Sequence, residues 1–516
     1  MKKLTHSASI PLLHASLNSV DHKDVLLASK KPVFFQFATT SMHFAASLEI
    51  CSHLNEEAST NYFFWGASTL FPNSMNSNVG MWPHRIPAQY KECVNKSNTN
   101  VIFSTNLAFD PAWVQEKLDS ILPKASKITS MEDLRKLDSI DLKPSSAISN
   151  CLTTLLSQKS LSSKKHGALL KRVLTSYLQV YSAVQTESAL QNYDLGLIFN
   201  GRFLHERACW DALKNLGIKT LLFETTRDRY FLRPEGFHSR ITNQDYINKF
   251  WENSSEPLAE RERIAQENYR ARRYGRNKFI LMDEEKRTES HEYFAFFANS
   301  DDEAFGFWES WLQPLGSQID VIKKLQDLFD VRQKELLLIR LHPNFANKSK
   351  EEKRRWNSII PSAYSRVIGY AEEVSSYDIM ANAKGVLTFG STIGLESAFW
   401  NKPVAVLADC HYDELGVADK LVNWGEVSRW LEEGYRLDST QINQRHISAC
   451  KKPWFLHHAG ENFFHTTLKE IGNPGWGEWE ATSFKGIGLK TNFLMRKFSR
   501  AILRLKLFKV KSSLWH

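Results

Sequence analysis

The run from Lys384 to Val406, KGVLTFGSTIGLESAFWNKPVAV, constrains this chain more than any other stretch. It reads as a short apolar strand, a Gly-Ser-Thr turn, a short helix and a second apolar strand. Short strands that are apolar throughout, rather than alternating, are those buried on both faces, as in a parallel sheet covered by helices. A second strand-to-loop junction, LLLIRLHPN (Leu336–Asn344), lies upstream in the same pattern. Two strands that end in small, polar or basic groups predict an open α/β sheet with a ligand crevice at the carboxyl ends of its strands.

The rest of the chain repeats the pattern. Lys31–Phe37 is a buried strand followed by Thr39, Thr40 and Ser41 and an apolar-periodic segment from Met42 to Leu54. Asn61–Trp65 and Val101–Ser104 are candidate strands, and Leu118 to Asn192 is mostly helical. Leu195–Phe199 is a strand ending in Asn200-Gly201-Arg202. A helix (Phe203–Leu216) follows, closed by Gly217, and Ile218–Phe223 is the next strand, ending at Glu224 before the segment TTRDRYF. Ile241–Arg276 is strongly charged and helical. Tyr293–Ala298, Glu335–Leu341 and Tyr364–Ile368 open a second strand series, Phe305–Trp311 reads as helix, and after Leu407 the pattern is helical and Trp-rich to about Glu470. Strand and helix alternate in both halves, so the fold class is α/β, with two Rossmann-like doubly wound domains facing a cleft. The boundaries are 1–240 for the first domain, 241–276 for a helical connection, 277–475 for the second domain and 476–516 for a basic amphipathic tail.

Bulk properties narrow the field. A chain of 516 residues is too long for one core, and its 42% hydrophobic and 24% charged composition is that of a soluble globular protein. No apolar run reaches 18 residues, so no transmembrane helix is expected. The start MKKLTHSASIPLLHASL has too short and interrupted an apolar run for a signal peptide. Six scattered cysteines without C-x-x-C spacing fit a reducing cytosol. The net charge of +9 is uneven: Lys485 to His516 holds nine Lys and Arg and no acid, so the remaining body is neutral. The tail sets Phe493, Leu494, Phe498, Ile502, Leu505 and Phe508 at helical spacing among its bases, which points to an anionic membrane surface bound through residues 485–511. The neutral body and the lack of a nucleic-acid motif exclude nucleic acid as a partner.

Several residues stand where chemistry is expected. Arg340 and His342 alternate along one strand end and share a face. With Pro343 ending the strand, they can grip a phosphate group by charge-assisted hydrogen bonds. Gly390 permits close backbone approach, Ser391 and Thr392 offer hydroxyls at a helix start, and Glu396 can accept from ribose hydroxyls. His43 sits at the first strand-to-helix turn, either as a ligand-facing group or as a surface or cap histidine. Glu224 ends a buried strand, either as a structural acid or as a general base. Asn299 to Glu303 (NSDDE) reads as a helix cap more than a metal site, since adjacent acids on a helix do not share a face. A D-x-D sequence, a G-x-G-x-x-G fingerprint and a P-loop are all absent. No metal and no cofactor are expected.

The order of motifs resembles the bacterial capsular polysaccharide biosynthesis proteins, including the Kdo-transferase-like and sialyltransferase-like enzymes of GT-B architecture. The pieces are IFNGR (Ile198–Arg202), the FE-then-aromatic loop at Phe223–Phe231, FFANSDDE (Phe296–Glu303), RLHPN (Arg340–Asn344) and FGSTIGLESAFWNKPVAVL (Phe389–Leu407). The resemblance implies a metal-independent glycosyltransferase that moves a sugar from a CMP- or UDP-linked donor to a capsular polysaccharide or glycolipid acceptor, in the cytoplasm or at the inner face of its membrane. It places His342, Pro343, Ser391 and Thr392 at the nucleotide, joined by Asn299, Ser300, Arg340, Gly390 and Glu396. It gives catalysis to His342 and to an acid of the first domain, Glu224 or Asp228. His43, Asn200 and Arg202 are assigned to the acceptor. A UDP-sugar 2-epimerase, a polyol-phosphate transferase of the same architecture and a non-catalytic assembly subunit are the alternatives.

Overall fold

The computed structural model describes residues 25–26, 28–37, 41–54, 61–65, 88–97, 101–104, 108–139, 142–156, 161–226, 228–234, 239–275, 293–300, 312–471 and 478–489. The segment Phe305–Trp311 and the tail beyond 489 lie outside them.

Strands β1 (Pro32–Gln36), β2 (Asn61–Trp65), β3 (Val101–Ser104), β4 (Leu195–Phe199), β5 (Lys219–Thr226) and β6 (Arg229–Arg233) build the first sheet. Strands β7 (Tyr293–Phe297), β8 (Leu336–Arg340), β9 (Ser365–Ile368), β10 (Gly385–Thr388), β11 (Val404–Val406) and β12 (Asp419–Lys420) build the second. A late strand, β13 (Glu461–Asn462), returns to the first sheet, and β14 (Thr466–Ile471), β15 (Glu478–Phe484) and β16 (Ile487–Gly488) form a small antiparallel sheet.

The first sheet runs β13-β6-β5-β4-β1-β2-β3 and the second β12-β11-β10-β7-β8-β9. Every pair in the second sheet is parallel, as are β1–β2, β2–β3, β1–β4 and β4–β5 in the first. The winding order reverses between β1 and β4 in one sheet and between β7 and β10 in the other. Such reversals open a crevice at the carboxyl ends of the two strands. Both expected doubly wound domains are therefore present, and each has its own switch point.

Side-chain alternation puts a separate core on each face of each sheet. In the first, Val33, Phe35, Ile198 and Leu222 pack with helices Pro111–Ala125, Pro144–Leu156, Ser163–Gln191 and Leu204–Asn215. Phe34, Leu197, Phe199 and Phe223 face the other way, onto helix Ser41–Ser52. In the second, Phe294, Phe296, Leu337 and Ile339 pack on helix Gln318–Arg332. Its other face, with Ala295, Phe297, Val386 and Val404, is covered by Arg240–Glu252, Leu258–Gly275, Ile393–Phe399 and Ser439–His458.

Several expectations are corrected. The segment after Glu224 is not a loop but a hairpin: β5 continues to Thr226 and pairs antiparallel with β6. The charged stretch 241–276 is no free connection, because Ile247, Trp251, Ile264 and Tyr269 are buried in the second domain's core. The helical reading to Glu470 and the boundary at 475 also fail. The helix Ser439–His458 ends at Ala459, and the chain then crosses back to the first domain. There the buried Glu49 carboxylate accepts from Phe464 N (3.3 Å), His465 N (2.8 Å) and Thr466 Oγ1 (2.7 Å). Ala481, Phe484 and Leu489 join the core around Phe34 and Phe44. Residues 478–489, expected as part of a basic tail, are thus part of the folded body. Among the described residues no helix is long and apolar enough to cross a membrane.

Candidate active site

At the switch point of the first sheet, three strand ends bring together residues far apart in sequence. His43 follows β1, Asn200 and Arg202 follow β4, and Glu224 lies within β5. The Asn200-Gly201 turn is left-handed at both residues (φ 56° and 76°), a conformation that Asn and Gly adopt most readily. That turn points the Asn200 amide at its neighbour strand, where Nδ2 donates to Glu224 Oε2. Glu224 Oε1 accepts from Thr225 N (2.9 Å) and lies 3.8 Å from His43 Nε2. The His43 ring stacks on Phe199 at 3.9 Å, and the Arg202 guanidinium sits over the Phe203 ring at 4.7 Å.

The electrostatics of this cluster follow from burial. Desolvation raises the Glu224 pKa above the ordinary carboxylate value, against the opposing hydrogen bonds from Thr225 and Asn200 and the charge of Arg202. Desolvation, then the Arg202 charge, lowers His43 to about 3. The result is a neutral imidazole beside a carboxylate whose charged form is disfavoured by burial. Asp228 does not take part. It is exposed at the tip of the β5–β6 hairpin, beyond the Thr226–Arg229 pair. Asn200 spends its amide on Glu224, which corrects its assignment to the acceptor.

At the switch point of the second sheet, Gly390 turns the chain with φ 101°. A Cβ there would collide with Cys410 Cβ, so both the dihedral and the space demand glycine. Thr388 holds the turn from within: its Oγ1 donates to Phe297 O (3.1 Å) and accepts from Ser391 N (3.0 Å). Tyr412, fully buried, donates its hydroxyl to Ser391 O at 2.8 Å. Asn299 fixes the turn from β7, donating Nδ2 to Phe389 O (2.9 Å) and accepting from Gln318 Nε2 (2.8 Å). Ser391 and Thr392 are half-exposed at the start of helix Ile393–Phe399. One strand over, His342 caps a short 3₁₀ turn begun by the exposed Pro343, and its Nδ1 accepts from Asn344 N at 3.1 Å. In the neutral ring that contact puts the proton on Nε2.

Four of the expected nucleotide residues are not presented as ligand groups. Arg340 is 5% exposed and spends its guanidinium on the loop after β9, through Gly369 O and Glu372 O. It lies inside the strand, on the face opposite Ile339, whereas His342 lies beyond the strand end where alternation stops. Glu396 is buried and accepts from the Tyr377 hydroxyl, because one helical turn carries it under the helix rather than to its tip. Asn299 is committed to the two strand ends, and Ser300 is buried beside it. His342, Ser391 and Thr392 are partly exposed. Sequence reasoning missed Thr388 and Tyr412. The first left one signal, a lone hydroxyl residue in an otherwise apolar strand. The second left none, since its contact crosses from one loop to another. Asp301, Asp302 and Glu303 lie outside the described residues.

Residues 314–436 match the family described as capsule polysaccharide biosynthesis protein. The matched span holds β8 to β12, and with them His342, Pro343, the Gly390 turn and Tyr412. Over it the chain is similar to capsule polysaccharide biosynthesis proteins. No curated protein matches the chain. Among solved structures, the Thermosulfurimonas dismutans KpsC beta Kdo 2,4 transferase is 12% identical over 51% of this chain and 80% of that one, with a TM-score of 0.33. The S. aureus MnaA–UDP co-structure is 11% identical over 84% and 93%, with a TM-score of 0.29. The UDP-GlcNAc 2-epimerase of Methanocaldococcus jannaschii is 10% identical over 83% and 100%, with a TM-score of 0.29.

Proposed function

We propose that this protein is a nucleotide-sugar-dependent glycosyltransferase of capsular polysaccharide assembly. One observation carries the reading. Each doubly wound sheet has a polar cluster at its switch point, with a half-buried acid in one domain and a hydroxyl-bearing turn beside a histidine in the other. The capsule polysaccharide biosynthesis match covers the second cluster.

In this reading the turn Gly390–Thr392 and His342 hold the donor's phosphate. Hydroxyls and an Nε2–H donor stabilise the negative charge that develops on the leaving nucleotide. Glu224 takes the proton from the acceptor hydroxyl as its oxygen attacks the anomeric carbon and the bond to the phosphate breaks. His43 and Arg202 line the acceptor side. The donor is written as a nucleotide sugar and the acceptor as a growing polysaccharide or glycolipid. Action without a metal, a cytoplasmic place and contact of the basic tail with an anionic membrane belong to the same proposal.

The test begins with calorimetry against CMP, CDP, UDP and GDP, followed by donor turnover with the nucleotide that binds. His342→Ala is expected to lose transfer and to keep its fold. Full activity in that variant removes His342 from the site. Product formed from donor alone, as a C2 epimer without acceptor, replaces the transferase with an epimerase.

A further inference from the structure

The loop Ala408–Leu415 touches the Gly390 turn at one end and the crossover from the first domain at the other. On the first side, Tyr412 Oη donates to Ser391 O at 2.8 Å, and the Cys410 side chain fills the space that only glycine leaves at position 390. On the second, Gln244, 1% exposed on helix Arg240–Glu252, makes three contacts with the loop. Its Nε2 donates to Cys410 O (3.2 Å) and Asp413 Oδ1 (2.9 Å), and its Oε1 accepts from Glu414 N (2.6 Å). Beside it Arg240 donates to both Asp413 oxygens (2.8 and 2.7 Å), and Lys420 Nζ lies 2.5 Å from Asp409 and 2.9 Å from Asp413. A buried acid on two cations and an amide fixes a loop in one geometry.

We propose that Tyr412 and Gln244 are positioning residues for the anion-holding turn. Tyr412 sets the Ser391 carbonyl directly. Gln244 sets it at one remove, by fixing the loop that carries Tyr412 and Cys410. The inference rests on the reading of Gly390–Thr392 as the nucleotide turn. It adds that the first helix after the interdomain crossover tunes that turn.

The test is calorimetric titration of the full chain with CMP and UDP, alongside thermal melting. Tyr412→Phe keeps the ring in its buried slot and removes one hydrogen bond. It is expected to weaken binding about five- to tenfold. Gln244→Ala is expected to weaken it by a similar factor, and the double variant by less than the product of the two, since both act through one loop. Ser391→Ala is the control. If it weakens binding while Tyr412→Phe and Gln244→Ala match wild type, or if the two effects multiply fully, the positioning role is overturned and the nucleotide turn stands. If the wild type binds neither nucleotide, or Ser391→Ala binds as tightly as wild type, the assignment of the turn itself fails, and the positioning role with it. Gln244→Glu, which keeps the size but sets an acid against Asp413, separates positioning from folding. A variant with a wild-type melting temperature and weakened binding supports the proposal, and one with both unchanged opposes it.

Discussion

At the residue scale, Glu224 and Gly390 are held in conformations that only their surroundings explain. Burial raises the Glu224 pKa, so the folded state binds a proton more tightly than the unfolded chain does. Ionised Glu224 therefore costs stability above its folded pKa, and the cost vanishes below the unfolded value. Glu224→Gln is expected to lower transfer on the order of 100-fold or more. It should also raise the melting temperature at pH 8, with the gain shrinking as pH falls through the carboxylate range. Parallel melting curves from pH 4 to 8 check this. If Glu224 is the base, the acid limb of kcat/KM lies above the ordinary carboxylate range. Gly390→Ala is expected to cost about 2 kcal/mol and to lose nucleotide binding, since the new methyl meets Cys410 Cβ at a left-handed φ. Cys410→Ala leaves that atom in place and is not expected to rescue it. Denaturant titration of both variants decides.

At the element scale, the decisive pieces are short connections. The β5–β6 hairpin places Glu224 opposite Phe231 and carries Asp228 out to the tip. The returning strands depend on Glu49, whose carboxylate serves three donors. Glu49→Ala removes the shared acceptor of three part-buried hydrogen bonds, which costs about 3 kcal/mol, and frees the segment that begins at Phe464. Limited proteolysis should then cut near residues 464–466 well before global unfolding. The helix Ser439–His458 is closed at its start by a reciprocal Asp438–Gln441 capping box. Its run was legible as helix from the sequence, but its end at His458 was not, because the stop comes from pairing of β13 with β6 rather than from a breaker alone.

At the scale of the whole molecule, two crossings between the domains are seen among the described residues, one between Arg233 and Arg240 and one between His458 and Glu461. Arg229 Nη1 seals the second, reaching His458 O (3.4 Å) and Gly460 O (3.1 Å). Deleting residues 478–516 removes Ala481, Phe484 and Leu489 from the first domain's core. This is expected to cost about 4 kcal/mol and to lower the melting temperature of the first domain. A truncation that melts as wild type contradicts that packing. Acid stability has its own signature. Burial lowers His205 to about 3, as it does His43. Each neutral ring contributes stability that is complete above its unfolded pKa near 6.5 and is lost as pH falls toward 3. His205→Gln, which can still meet Ser176, is expected to narrow the stability gap between pH 7 and pH 4 in urea titrations.

The sequence by itself determined the repeating strand-and-helix units, the two doubly wound domains and the turns that end their strands. Those features are local: a run of apolar residues buries both faces of a strand, and Asn-Gly or Gly-Ser-Thr bends the chain wherever it occurs. It also singled out His43, Asn200, Arg202 and Glu224, which the fold gathers around one switch point. Only the tertiary structure decided which polar groups are left over for a ligand. Arg340, Glu396 and Asn299 looked available because a sequence does not show the carbonyls and hydroxyls that come to meet them. Those partners, Gly369, Tyr377 and Phe389, arrive from other elements, and a buried polar group must be satisfied by whatever packs against it. Residues 478–489 fall to the body for an apolar reason: Ala481, Phe484 and Leu489 complete a core shared with Phe34 and Phe44, which no local pattern shows.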